Sequence, residues 1–305
     1  MPPPLGETAL MSSMSLVPSR SSGSGAGGRP PHVVGVVDYF TGGMDNYAAE
    51  RDLAAQLLTT APWLPLTVRA HRRHTTRVVQ YLATEGFTQY LDLGCGLPYA
   101  EPGEEALHPY DAARSVLTGV QGAQADVRTV YVDNHGPAFA HANTMLAEER
   151  GTLAVHADVR RTAELLALPS VTAKLDLDRS VAVLAHDLLP WMGDHDAVDL
   201  LNDLRRLLPS GSALSLTHAA TDLLPGPEGE DSVRTLSAIY AEAGIGFHPR
   251  SAGHLRALLN GWSVQEPGVV RTELWGSGYG PFARRSPTPG DFTGAYAAIA
   301  LTTAP

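Results

Sequence analysis

Apolar positions along the chain change period near residue 88, and the change separates two kinds of structure. Within 45–60, Leu53, Leu57 and Leu58 recur at helical spacing behind acidic residues suited to a helix N-terminus, and Pro62-Trp63-Leu64-Pro65 closes the segment. A second helix is predicted over 67–84: Val68, Val78, Val79 and Leu82 face inward, Arg69, Arg72, Arg73 and Arg77 take other faces, and Gly86 is the stop signal. Beyond it, short apolar runs alternate with helical stretches. Strands are expected at 89–93, 129–133, 153–157, 180–185, 213–217, 262–266 and 295–302, with helices at 137–149, 161–166, 197–208, 232–243 and 252–260. That alternation predicts an α/β fold: a seven-stranded, mostly parallel sheet with helices on both faces. No internal repeat competes with this reading.

The first 31 residues do not join the pattern. Pro2-Pro3-Pro4 and the Ser/Gly tract at 21–28 hold too little apolar surface to offset their ordering entropy, so 1–31 reads as a disordered arm and 32–305 as one domain. Composition then narrows the function. A formal charge of −10 with no Lys/Arg-rich run disfavours nucleic acid as a partner, and no apolar stretch is long enough to cross a membrane. The lone cysteine, Cys95, excludes an intrachain disulfide framework and a Cys-rich zinc site, and suits a reducing cytoplasm. Among the 12 histidines, His71 and His74 stand at i, i+3 and His186 and His195 flank an acidic stretch, but none forms an H-x-x-x-H pair with a third ligand, so no metal is expected.

The strongest local signal is Leu91-Asp92-Leu93-Gly94-Cys95-Gly96, an apolar strand running into a glycine turn that would let backbone approach a ligand closely. Alone it is equally well read as an ordinary tight turn. The next two strands also end in acids: Val130-Tyr131-Val132-Asp133 places a carboxylate where a ribose diol could be gripped, and Asp158, followed by Val159, places another where an adenine amino group would lie. Ligands of open α/β sheets sit outside the carboxyl ends of the strands, so three such acids describe a nucleoside pocket. The turn after Leu93 continues as neither a G-x-G-x-x-G nor a P-loop pattern to hold phosphates, and Asp92 would repel one. S-adenosylmethionine, which bears a sulfonium and an ammonium but no phosphate, suits an acidic pocket.

With these residues in place, the chain resembles a class I S-adenosylmethionine-dependent methyltransferase. More narrowly, it resembles the actinobacterial S-adenosyl methyltransferase family once catalogued only as a domain of unknown function. The motifs are Val37-Asp38-Tyr39-Phe40-Thr41-Gly42-Gly43-Met44-Asp45-Asn46-Tyr47-Ala48-Ala49-Glu50-Arg51, Arg69-Ala70-His71-Arg72-Arg73, Asp92 to Pro98, Tyr131-Val132-Asp133-Asn134 and Gln265-Glu266-Pro267-Gly268-Val269-Val270. The resemblance covers the chain from about His32 onward. It implies a Rossmann-like class I methyltransferase fold whose N-terminal helices, over 32–86, cap the cofactor. It also implies that Tyr39, Gly42, Gly43, Asn46, Arg69 and Asn134 touch the cofactor or wall its pocket. Arg69 would take the carboxylate of the methionine part. Met44 stands where relatives commonly carry Lys. Asp133 lies 41 residues beyond Asp92, farther than in relatives, so 100–124, with Glu101, Glu104 and Glu105, is expected as a longer loop over the pocket. A second insertion, 222–250, is expected to wall the acceptor site, with Ile239, Tyr240, Phe247 and Trp275 as candidate lining.

The expected reaction is transfer of the sulfonium methyl to N, O or C of a small organic acceptor, leaving S-adenosylhomocysteine. The resemblance implies a secondary metabolite, an indole of a cyclic dipeptide being the first candidate. His186, at the end of the fourth strand, could accept the acceptor's proton, oriented by Asp187 or Tyr39, or it could merely bond backbone; His218 is a second candidate base. Cys95 reads as a small filler in the cofactor turn. The chain is expected to act as a monomer or homodimer. Alternatives are a protein that senses the cofactor or its demethylated product, a non-methylating user of the same cofactor, and an NAD-dependent oxidoreductase.

Overall fold

A computed structural model describes residues 29–99, 106–122, 125–147, 149–224, 226–276 and 293–303. Three helices come first: α1 (Val33–Phe40), α2 (Ala48–Thr60) and α3 (Leu64–Thr84). The alternating region follows as β1 (Gln89–Leu93), α4 (Pro109–Gln121), β2 (Arg128–Asp133), α5 (Gly136–Met145), β3 (Thr152–His156), α6 (Thr162–Ala167), α7 (Pro169–Lys174), β4 (Ala182–His186), α8 (Asp194–Leu207) and β5 (Ala213–Ala219). The chain ends with α9 (Gly226–Glu242), α10 (Ala252–Leu258), β6 (Ser263–Val264), β7 (Val270–Arg271) and β8 (Ala295–Leu301).

The sheet runs β3-β2-β1-β4-β5-β8-β6, with β7 also pairing β8. Strands β1 to β5 are mutually parallel, and β8 lies antiparallel to β5. The order reverses between β1 and β4, which opens a crevice at their carboxyl ends. Side chains alternate between two buried layers. Leu91, Leu93, Val130, Val132 and Val183 pack with Leu200, Leu201 and Leu204 of α8 on one face. Tyr90, Tyr131, Leu184 and Ile299 pack with Val78, Val79 and Leu82 of α3 and Leu117 of α4 on the other. A third cluster joins Val36 and Phe40 of α1 and Leu53 and Leu57 of α2 to Leu236 and Tyr240 of α9, so the N-terminal helices sit on the second expected insertion.

Seven strands occur where alternation predicts them, and an eighth, the two-residue β7, is added. The expected loop at 100–124 is corrected. Most of its described part is α4, the crossover between β1 and β2, with Pro109 in its first turn, Ala112, Ala113 and Leu117 buried, and Gly122 at φ 75° beyond its end. Glu101, Glu104 and Glu105 lie outside the described residues. The last residues assigned to the arm contact the domain: Arg29 bonds His135, and Pro30 and Pro31 line the main cleft. The remainder of the expected arm lies outside the described residues. Periodicity did not single out helix α1 within the expected 32–86 cap; four of its eight residues are valines, which lose rotamer freedom in a helix. Burial against α2 and a cap from the His32 ring to the Val34 N–H override that preference.

One buried cation fixes the segment after β4. Arg250 is 2% exposed; it donates to Leu189 O at 2.9 Å, Met192 O at 2.8 Å, His218 Nε2 at 2.8 Å and Asp194 Oδ1 at 2.9 Å. His218 then carries its proton on Nδ1, which donates to Ala219 O at 2.8 Å. Arg250→Ala strands three buried acceptors, each worth roughly 1–3 kcal/mol. Urea unfolding should show a loss of about 3 kcal/mol or more, whereas Asp194→Ala, which removes an exposed partner, should cost under about 1 kcal/mol.

Candidate functional site

Strand β1 runs through Asp92 and Leu93 into a turn in which Gly94 and Gly96 have φ of 72° and 64°. The turn folds back on β2: the N–H groups of Gly94 and Cys95 both donate to Val132 O, at 2.8 and 3.1 Å. A Cβ on Gly94 would lie 2.9 Å from Leu188 Cδ1, whereas one on Gly96 would project into open space. The backbone therefore presents a bare concave edge at the switch point. Asp133, at the end of β2, accepts Gly96 N–H on Oδ2 at 2.9 Å and His135 N–H on Oδ1 at 2.8 Å.

These groups border one cleft of about 610 Å³. Asp92, Gly94, Cys95, Gly96, Asp133 and Asn134 line it from the first two strands. Asp158 and Val159 line it after β3, and His186 and Asp187 after β4. Sequence reasoning did not single out His32 or Asp38 at its cap side, nor assign His71, Arg72 and Thr75 of α3 to the site. Val68, His71, Arg72 and Thr75 recur at i, i+3, i+4, i+7, a one-sided stripe that the sequence does contain.

Burial, reinforced by the charge of Asp133, pushes the Asp92 carboxyl up to about 7. Burial also raises Asp133, against its two backbone N–H bonds, and lifts Asp187 to about 7. Neither Asp92 nor Asp187 makes a side-chain hydrogen bond or ion pair among the described residues. A cleft bordered by Asp92 and Asp133 on adjacent strands, with no side-chain partner on Asp92 and a bare glycine edge, fits a cationic, phosphate-free ligand. Asp158 differs: Arg160 bonds both its oxygens, with Nη2 at 2.6 Å, and holds its carboxyl below the ordinary range. It lines the cleft without adding net charge.

His186 is tied into a side-chain relay. Thr75 Oγ1 donates to His71 O at 3.0 Å, so it accepts from His186 Nδ1–H at 2.7 Å; His186 Nε2 accepts from Ser215 Oγ at 2.9 Å. Both ring nitrogens are engaged, and burial depresses the imidazole to about 3, far from the range of a working base. His218 is likewise held on both nitrogens and fully buried. Tyr39 is 37% exposed and outside the cleft lining, so it is not positioned to orient His186. Asn46 and Gly43 also lie outside the lining: Asn46 Nδ2 donates to Asp38 Oδ2 at 2.7 Å and to Gly43 O at 2.8 Å, and a Cβ on Gly43 would collide with the Asp38 carboxylate. They brace the turn after α1. Arg69 is exposed at the margin of the α3 stripe, and Arg72, whose guanidinium lies 4.4 Å from the Tyr99 ring centre, is the arginine of α3 that lines the cleft. Burial, with Asp92 and Asp133 nearby, raises the Cys95 thiol well above its ordinary value, so it stays protonated. Trp275 packs edge-on against His74 and Tyr81 in the sheet core and not against the site. Among the described residues no three His, Cys, Asp or Glu side chains converge to hold a metal ion.

A mostly parallel sheet with this order, and a switch-point cleft built from strand-end acids, define a class I methyltransferase fold. Residues 27–302 match the model of the S-adenosyl methyltransferase family, and the chain belongs to that family. It is therefore an S-adenosylmethionine-dependent methyltransferase. A methyltransferase candidate from Thermobifida fusca superposes with a TM-score of 0.75 at 28% identity, covering 90% of this chain and 96% of that one. A DUF574 family protein from Streptomyces avermitilis superposes with a TM-score of 0.76, also at 28% identity, over 90% and 98%. No curated protein sequence matches the chain. No helix among the described residues is long and apolar enough to cross a membrane.

The raised Asp92 carboxyl has a signed consequence. The folded chain holds that proton more tightly than the unfolded chain, so the Asp92 contribution to stability falls as pH climbs from about 4 to about 7. Without cofactor, Asp92→Asn should gain melting temperature relative to the parent across that interval and level off above it. The two should converge below about pH 4. Thermal scans at stepped pH check this. Buried histidines such as His71 and His186, lowered to about 4 and 3, act oppositely in both proteins and cancel in the difference.

Proposed function

We propose that the cleft binds S-adenosylmethionine with Asp133 on the ribose diol, Asp158 and Val159 at the adenine edge, and Asp92 on the cationic methionine side. Gly94, Cys95, Gly96 and Asn134 form the backbone cradle, and Arg72 takes the methionine carboxylate in place of Arg69. The observation that carries this reading is the pair Asp92 and Asp133, on adjacent strands at one crevice, with no cation beside Asp92 among the described residues. When bound, the cofactor supplies a methyl group activated by the sulfonium. The chain's own part is to align the acceptor, exclude water from the crevice and receive a proton where the acceptor must lose one.

The acceptor in this reading is a small organic molecule, entering from the α3 and α9 side. A secondary metabolite with an electron-rich ring, such as an indole, is supported by the family resemblance and by aromatic residues on that side. Asp133→Ala should weaken binding of S-adenosylhomocysteine by about 1.5–3 kcal/mol, the value of hydrogen bonds to a charged group. Calorimetry with unchanged affinity overturns the ribose assignment. Incubation of the protein with methyl-labelled cofactor and small-molecule extracts tests transfer itself; cofactor binding without label transfer to any extract favours a sensor.

A further inference from the structure

Past Asp187 the cleft continues into a second lobe of about 70 Å³, sharing Val37, Val68, His71, Asp187 and Trp191 with the first. Its wall is mostly apolar and aromatic. Trp191, Tyr240 and Phe247 form a mutually packed trio with ring centres 5.0–5.2 Å apart, and Leu236 of α9 closes one side. Two polar groups stand at the junction with the cofactor cleft. Asp187 has φ 53°, a left-handed conformation uncommon outside glycine, held by bonds from its N–H to Thr217 Oγ1 at 2.9 Å and Thr217 O at 3.2 Å. His71 is 6% exposed, and its buried Nε2 has no hydrogen-bond partner. A buried nitrogen left so keeps its desolvation penalty, which a ligand group can recover.

We propose that this lobe is the acceptor subsite, taking the edge of an aromatic ring that bears a weakly acidic O–H or N–H, with Asp187 receiving that proton and His71 hydrogen-bonding the reacting heteroatom. The inference rests on the cofactor reading above. The lobe has room for about two water-sized groups at ~30 Å³ each, so it holds a ring edge while the rest of the acceptor occupies the main cleft. The acceptor heteroatom bonds the methyl carbon as the carbon–sulfur bond breaks. The electron pair of that bond stays on sulfur, and the acceptor's proton passes to the Asp187 carboxylate and then to solvent. His186, with both nitrogens engaged, takes no part, and burial keeps neutral His71 available as a hydrogen-bond partner.

Fluorine NMR tests this on the full chain saturated with S-adenosylhomocysteine, with 4-fluorophenol as the O–H probe, 5-fluoroindole as the N–H probe and fluorobenzene as control. One of the first two should bind at least tenfold more tightly than fluorobenzene. Asp187→Asn and His71→Phe should each weaken that probe at least threefold and leave fluorobenzene unchanged. Leu236→Phe should fill the lobe and abolish binding of all three; Leu223→Phe replaces it if melting shows it unfolded. Failure of both polar probes to bind, or binding indifferent to Asp187 and His71, overturns the subsite. Calorimetry of S-adenosylhomocysteine on the same wild-type sample separates the readings: cofactor binding without probe binding sinks the subsite alone, and absent cofactor binding sinks the cofactor assignment on which it rests.

Discussion

The architecture turns on carboxylates taken out of water at the rim of a parallel sheet. Asp92 and Asp133 sit on hydrogen-bonded neighbours, β1 and β2, and the charge of Asp133 adds to the cost of ionising the buried Asp92. The fold compensates them unequally. Backbone N–H groups of Gly96 and His135 satisfy Asp133, while Asp92 is left to burial. Such a cleft has a charge preference before any ligand arrives: a phosphate meets repulsion and a sulfonium or ammonium relieves it. The preference follows from where the order of strands reverses, because only there do the carboxyl ends of β1, β2 and β4 open onto a common space.

The sheet was legible because its strands are buried on both faces and read as continuous apolar runs. β1 spans Gln89–Leu93 as the pattern predicts, since Gly86 and Gly94 punctuate it on either side. Helix α4 was not legible. Pro98, Pro102 and Pro109 with intervening acids gave the region the composition of a loop, although Ala112, Ala113, Val116 and Leu117 provide a helical stripe. The strand-end acids were legible because strand termini fix where a side chain points. Helix-borne residues were harder, since a motif does not state the rotation of its helix: the Arg69-to-Arg73 run was noticed, yet it is Arg72 that faces the cleft. The partners of His186 are Thr75 and Ser215, 111 and 29 residues away, and no local pattern announces either.

Helix α3 links the two halves of the site. Its Val78, Val79 and Leu82 are packed into the sheet core, while His71, Arg72 and Thr75 border the cleft. The chain of bonds from His71 O through Thr75 and His186 to Ser215 ties this helix to β4 and β5 across the cleft floor. His74, fully buried, lies edge-on to both the His186 and Trp275 rings, with centroids 5.3 and 5.1 Å away, and adds packing at the same level. Because His71 borders both lobes, the wall that would meet an acceptor is continuous with the wall that would meet the methionine end of the cofactor. An interior this dense tolerates few intermediate positions, so a displacement of α3 that widened one lobe would alter the other. In the proposed reading, recognition of the two ligands would be coupled through α3, with the relay of Thr75, His186 and Ser215 bracing it from behind.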